Sequence, residues 1–236
     1  MRAPWLLMLP AAAACGLEFS EPVVDTPAAL RVYLTLTDSA PVGSAQVSGF
    51  LWPGYGADGA VRIPSDSSVR VMGRTIVPYM GLTTDAPSDI AYAESWGFDP
   101  AAPLGRVELE APAIPGVAAP VLRVTPPWPL GPSDVTVSVD STLRLDLATE
   151  TAPADTVFEH WEVYVLREDG WPVARLLATG PVPSSVEVPW GMLSGLAAAG
   201  QVVLKVSQSV IASRGGDYDV VFGVTTSHTW FVTVTP

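Results

Sequence analysis

The stretch LRVYLTLTD, residues 30–38, decides the fold of this chain. Its apolar residues recur at every second position, and they are Leu30, Val32, Leu34 and Leu36. An arginine, a tyrosine and two threonines stand between them. Because side chains alternate between the two faces of a β-strand, this pattern predicts a strand with one buried face.

The same alternation returns in the second half of the chain. There the apolar positions are Val135, Val137, Val139, Leu143, Leu145 and Leu147. Turn signals at Asp58-Gly59, Met72-Gly73 and Asp169-Gly170 separate further short apolar runs, because glycine tolerates the positive φ of tight reversals. A short helical turn is expected at residues 190–199, begun by Pro189 and ended by Gly200.

Composition supports an all-β chain with a real core. Hydrophobic residues make up 48% of the 236 residues, which excludes wholesale disorder, and the 24 prolines and 20 glycines favour many turns. Seven prolines fall between residues 111 and 133, a density that cannot occupy a central strand. We expect an extended connector and a domain boundary there.

The regular spacing of short strands resembles tandem Ig-like or fibronectin-III-like β-sandwiches, although the Ig cysteine pair is missing. This resemblance is architectural. It implies a first sandwich over residues 28–117 and a second over residues 118–236, after a leader over residues 1–14 and a tether over residues 15–27. One larger sandwich is the alternative.

The leader indicates where the protein is located. Arg2 precedes an apolar run at residues 5–9, and small residues follow, which is the order of a secretory signal. Ala12-Ala13-Ala14-Cys15 resembles the cleavage motif of bacterial lipoprotein signal peptides, with alanine at a position where that family more often has leucine.

The resemblance implies that Cys15 becomes the first mature residue and carries lipid chains that hold the protein in a membrane. Gly16, in place of an inner-membrane retention aspartate, favours the outer membrane by the same analogy. The alternatives are an ordinary secretory signal that leaves a free thiol, and an unprocessed chain in which Cys15 is a small hydrophobic residue. Cys15 is the chain's only cysteine, so a disulfide framework is excluded.

The formal net charge of −12 argues against nucleic acid and against adsorption to anionic headgroups, because like charges repel. Neither His160 nor His228 lies in a recognisable catalytic motif, and we expect one exposed and one packed histidine. We expect no cofactor and no metal. Two acidic groups could hold calcium but are expected to be solvated loop residues; they are Asp85, Asp89, Glu94 and Asp99, and Asp217 with Asp219.

Aromatic residues near turns are the candidate binding residues. Trp52, Tyr55, Trp96 and Phe98 stand beside glycine or proline, and flat rings in such positions can stack on sugars or dock a proline-containing peptide. The competing interpretation is that such rings, like Trp128 in the connector, pack at the edges of a core.

Together these features predict a non-catalytic, lipid-anchored envelope protein with a binding, adhesion or assembly role. Its partners would be the membrane, through the anchor, and an envelope protein or glycan. A carbohydrate-binding surface protein that uses the turn aromatics is the alternative, and an accessory hydrolase is a further one.

Overall fold

The computed structural model describes residues 28–38, 43–52, 55–56, 59–60, 67–79, 90–99, 105–114, 117–130, 135, 137–138, 141–149, 152–194, 196 and 200–235. The leader, Cys15 and the tether lie outside this part. Within it one short helix, α1 (Trp190–Leu193), stands among strands. The all-β prediction is therefore confirmed.

The strands in chain order are β1 (Ala28–Asp38), β2 (Gly43–Trp52), β3 (Tyr55–Gly56), β4 (Gly59–Ala60), β5 (Val69–Val71), β6 (Arg74–Ile76), β7 (Ile90–Phe98), β8 (Val107–Glu110), β9 (Val121–Val124), β10 (Pro129–Leu130), β11 (Val137–Ser138), β12 (Leu143–Asp146), β13 (Ala148–Thr149), β14 (Val157–Arg167), β15 (Pro172–Thr179), β16 (Ser185–Val188), β17 (Gln201–Arg214) and β18 (Tyr218–Thr235).

The main sheet runs through both halves of the chain, in the order β15-β14-β17-β18-β1-β2-β7. Along this order neighbouring strands are antiparallel except β1 and β18, which pair in parallel from Ala28 opposite Tyr218 to Asp38 opposite His228. An eighth strand, β11, lies off this path and also pairs with β18 in parallel, with Val137 opposite Val234. The first strand of the chain thus adds to its last hairpin. Two separate sandwiches in tandem are not confirmed by this topology.

One face of the main sheet, here called the inner face, carries the hydrophobic core. The predicted alternation of residues 30–36 is confirmed, since Leu30, Val32, Leu34 and Leu36 are each 0% exposed on this face. The four-stranded sheet β6-β5-β8-β9 supplies Val71 to the same cluster, which we call the first core.

A second core lies further along the inner face of β17 and β18. It contains Leu204 and Val232 from that hairpin, Leu145 from β12 and Leu193 from α1. The strand pair β12 and β16 lies over it. Two cores thus share one long hairpin, whose strands have 14 and 18 residues.

A buried polar pair separates the two cores. Gln208 and Thr226 face each other across β17 and β18, and both are 0% exposed. The Gln208 amide accepts from the Val182 N–H at 2.6 Å and donates to backbone carbonyls that include His160 O at 2.9 Å. The Thr226 hydroxyl donates to the Pro127 carbonyl at 2.7 Å.

The proline-rich segment differs from the predicted connector, because two short strands lie inside it. β10 pairs with β13, with Pro129 opposite Thr149. β9 pairs with β8 from Val107 opposite Val124 to Glu110 opposite Val121. Residues 121–124 contain no proline, so their N–H groups can join a ladder at the edge of a sheet. Among the described residues no helix has the length and apolar character needed to cross a membrane.

Candidate functional site: the outer face of the main sheet

Three large rings lie on the outer face of β1 and β2, opposite the first core. Tyr33 is 44% exposed, Phe50 48% and Trp52 38%. The ring centroids of Phe50 and Trp52 are 6.0 Å apart, with 30° between the ring planes. Tyr33 lies opposite Ser48, one pleat along from Phe50. We call Tyr33, Phe50 and Trp52 the ring patch.

Gly223 positions the Tyr33 ring. The two residues are register partners in the parallel pair, and a Cβ placed on Gly223 would lie 2.7 Å from a Tyr33 ring carbon. The aromatic ring therefore covers the gap that glycine leaves in β18, as aromatic residues do beside strand glycines elsewhere. This packing holds the ring along the sheet surface.

Polar side chains without internal partners adjoin the ring patch. Gln46 and Ser48 continue the exposed face of β2, and Thr35 lies opposite Gln46 on β1. Within the described part of the chain, no hydrogen bond joins the side chains of Gln46, Ser48 or Thr35 to another residue. These groups are free to bind a ligand.

The charges next to the rings neutralise each other. Arg31, opposite Phe50, bonds Asp219 through Nη2 and Oδ2 at 2.6 Å, with both side chains about one-third exposed or less. Because the two charges are paired, Arg31 and Asp219 make the surroundings of the ring patch polar without adding a free charge.

Two rows of hydroxyl groups cross the outer face of β17 and β18. The Ser207 and Ser227 hydroxyls are 2.9 Å apart, and those of Ser209 and Thr225 are 2.7 Å apart. Ser207 is 4% exposed, Ser209 2% and Ser227 0%. We call these four residues the hydroxyl rows; they satisfy one another and face little solvent.

A charged cluster borders the hydroxyl rows on β14 and β15. Arg175 Nη2 donates to Glu162 Oε1 at 2.6 Å, and its guanidinium lies 5.3 Å from the Tyr164 ring centroid. Burial acts to raise the pKa of Glu162, but hydrogen bonds from Arg175 and Tyr164 and the charges of Arg175 and His160 outweigh it. The pKa of Glu162 is therefore below its ordinary value.

His160 comes close to a serine and a carboxylate without forming a catalytic triad. Its Nε2 is 3.2 Å from Ser209 Oγ, but its Nδ1 is 3.6 Å from Glu159 Oε2, beyond hydrogen-bonding distance. Ser209 is mid-strand and paired on both sides, so the ladders use the neighbouring backbone N–H groups that an oxyanion hole would need.

Of the four aromatic residues predicted from the sequence, the three with described side chains are not brought together. Trp52 joins the ring patch, and the side chain of Tyr55 lies outside the described residues. Trp96 and Phe98 pack on the inner side against the first core, where Arg74 lies 5.0 Å from the Trp96 ring and Trp128 lies 6.2 Å from the Phe98 ring.

Two of the predicted acidic residues pair with arginines in the structure. Glu94 bonds Arg74 at 3.1 Å, and Asp219, expected in a loop, lies in β18 and bonds Arg31. From Tyr218 onward alternate residues are buried, which is the pattern of a strand and not of a loop. Asp85 and Asp89 lie outside the described residues. Among the described residues no group of three His, Cys, Asp or Glu side chains could hold a metal ion.

The two histidines occupy the faces that the alternation predicts. His160 shares the outer face with Glu162, whereas His228 lies in phase with the buried Val232 and Val234. The His228 Nδ1 is 2.8 Å from Asp38 Oδ2, and the Trp230 ring lies 4.3 Å away. This histidine packs at the end of β1.

Sequence reasoning missed Tyr33 and Phe50, although the signal was present. Both stand at the positions that alternate with buried residues, in LRVYLTLTD and in QVSGFLW. Large rings on the predicted solvent face of two neighbouring strands were the pattern to look for.

A scan against models of protein families finds no match for this chain, and a search of curated proteins finds none either.

Proposed function

We propose that this protein is a non-catalytic binding protein, held at a bacterial cell envelope by lipid on Cys15, and that the ring patch binds its partner. The observation that carries the proposal is the exposure of Tyr33, Phe50 and Trp52 on one surface. Unpartnered polar side chains lie beside these rings. That combination is typical of binding surfaces.

The fold explains Tyr33, which covers Gly223, but it gives no structural reason for Phe50 and Trp52 to be aromatic. The open face of an antiparallel sheet is ordinarily polar, and a cluster of exposed apolar groups marks an interaction site. Phe50 and Trp52 contribute nothing to the first core, which lies on the opposite face. Their exposure is therefore better explained by a partner than by folding.

The lipid anchor is supported by the leader and by the position of the chain's entry into the fold. β1 begins at Ala28, and Ala29 lies opposite Trp52. The tether of residues 15–27 reaches at most about 45 Å when fully extended. The ring patch would then remain close to the membrane, with the outer membrane favoured by Gly16.

Metabolic labelling with a fatty acid tests the anchor. The natural chain should carry the label, and Cys15→Ser should carry none. A labelled Cys15→Ser protein would contradict the anchor.

Sedimentation with envelope fragments tests the binding face. The soluble Cys15→Ser chain should co-sediment, and adding Phe50→Ala with Trp52→Ala should abolish this. Phe231→Ala is the matched control, because Phe231 is 72% exposed on the outer face of β18, opposite Val203 and away from the ring patch. Equal loss in both variants would refute the proposal.

Tandem Ig-like or fibronectin-III-like sandwiches stay a proposal for the domain organisation. The two cores support it, whereas the pairing of β1 with β18 supports one folding unit. Expression of residues 28–117 alone separates the two: a folded fragment favours tandem sandwiches, and an unfolded one favours a single unit.

A further inference from the structure

We propose that the ring patch binds a neutral polysaccharide whose pyranose rings carry equatorial substituents. This inference rests on the proposed function, because it names the partner class of the same surface. It also replaces the turn aromatics with Tyr33, Phe50 and Trp52, three rings that the register of β1 and β2 places on one face.

The rings match the faces of such a sugar. A pyranose with equatorial substituents presents C–H groups on both faces and hydroxyls around its edge. Aromatic rings bury these apolar faces with little loss of side-chain entropy. Phe50 and Trp52 stack along β2 with ring centroids 6.0 Å apart, and Tyr33 extends the surface to β1, so the chain of sugars can contact more than one ring.

The free polar groups match the sugar edges. The Gln46 amide supplies donors and an acceptor, and the hydroxyls of Ser48 and Thr35 each supply both. None of these three side chains is bonded to another described residue. A ligand with many hydroxyls can use donors and acceptors together, which an apolar ligand cannot.

The charges of the protein favour a neutral ligand over an acidic one. The Arg31 guanidinium is already bonded to Asp219, and the whole chain carries −12. An acidic polysaccharide would be repelled by the field of the protein, and the described residues provide no unpaired arginine beside the rings. The hydroxyl rows do not compete as the site, because the three serines are buried and all four hydroxyls are mutually bonded.

The experiment is calorimetric titration of the soluble Cys15→Ser chain with β-1,4-linked hexasaccharides of glucose, of N-acetylglucosamine and of glucuronic acid. We expect binding to a neutral sugar and none to the acidic one. Phe50→Ala and Trp52→Ala should each weaken binding about tenfold, which corresponds to about 1.4 kcal/mol, because each variant loses an aromatic contact with the sugar. Phe231→Ala should bind like the parent chain.

A second variant separates a loss of binding from a loss of folding. Phe50→Leu keeps an apolar side chain but loses the flat ring, so it should fold with an unchanged unfolding midpoint and still bind weakly. Gln46→Ala should weaken binding several-fold, as expected for the loss of a hydrogen bond to a neutral ligand. Normal affinity in Phe50→Leu, Phe50→Ala and Trp52→Ala would overturn the inference.

The remaining outcomes separate this inference from the proposed function. If no neutral hexasaccharide binds while envelope fragments still co-sediment in a ring-dependent way, the glycan inference fails and the binding face stands. Zwitterionic lipid vesicles are run in parallel, because exposed tryptophan and tyrosine also suit a membrane interface. Ring-dependent vesicle binding without sugar binding would overturn the glycan as occupant.

Discussion

The ring patch and the hydroxyl rows share the outer face of one sheet, but their polar side chains differ in exposure and in hydrogen bonding. Around the rings, the side chains of Gln46 and Ser48 are exposed and unbonded within the described chain. In the hydroxyl rows, Ser207 bonds Ser227 and both are nearly inaccessible. The polar groups beside the ring patch are available to a partner, whereas those of the hydroxyl rows stabilise the sheet.

This difference separates stability from binding residue by residue. Changes in and beneath the hydroxyl rows should lower the free energy of unfolding and leave the affinity of the folded protein unchanged. Changes in the ring patch should lower affinity and leave stability nearly unchanged. Each of the following predictions tests one side of this division.

Gln208→Leu should have the largest effect on stability. Gln208 lies beneath the hydroxyl rows, on the inner face of β17 between the two cores, and bonds Val182 N–H and the His160 and Gly180 carbonyls. Leaving these buried groups unpaired should cost about 3 kcal/mol of unfolding free energy. Urea unfolding measures it, with the exposed Gln201→Leu on the same strand as control. Equal stability in both variants would contradict the role of the buried amide.

Gly223→Ala should affect both properties, because it links the sheet to the rings. The added Cβ would meet the Tyr33 ring at 2.7 Å and push it off β18. We expect a loss of about 1–2 kcal/mol and weaker ligand binding. In Gly223→Ala with Tyr33→Ala the stability losses should be less than additive, since the clash is gone. Additive losses in the urea unfolding of the three variants would argue against the packing.

Ser227→Ala and Ser48→Ala should show opposite phenotypes. Ser227→Ala leaves the buried Ser207 hydroxyl without its partner and should cost about 1 kcal/mol, with unchanged affinity. Ser48→Ala, exposed beside the rings, should weaken binding and leave the unfolding free energy unchanged. A binding defect in Ser227→Ala would undermine the division.

Glu162→Gln should have the smallest effect, visible as a change in pH dependence. Since the folded pKa of Glu162 is below its ordinary value, ionised Glu162 stabilises the fold above about pH 4.3. This contribution is lost as pH falls through the folded pKa. Unfolding free energies at a series of pH values should show the variant less stable at pH 7 and the gap closing on acidification. A gap that persists in acid would contradict the assignment.

Local pattern predicted the strands well. Leu30, Val32, Leu34 and Leu36 are buried as their alternation indicates, and the hairpin turns at Met72-Gly73 and Asp169-Gly170 are where the glycines predict. Met72, Gly73 and Gly170 all have positive φ. These features depend on neighbours in sequence, so the sequence alone carries them.

Long-range pairing could not be predicted in the same way. β1 pairs with β18, almost 190 residues later in the chain, and no local signal identifies that partner. The predicted tandem division followed from the prolines, whereas the same proline segment lies against the polar pair Gln208 and Thr226. Trp96 and Phe98 stand beside glycine much as Trp52 stands beside proline, but the register of β2 and β7 places them on the inner face.

The central claim is that the ring patch is the part of the main sheet that contacts a ligand. The most direct measurement is a series of two-dimensional ¹H–¹⁵N NMR spectra of the Cys15→Ser chain during titration with the neutral hexasaccharide that binds most tightly. The account predicts shifts concentrated in the amides of residues 31–35 and 46–52. Shifts confined to residues 203–209 and 225–231, over the hydroxyl rows and Phe231, would contradict it.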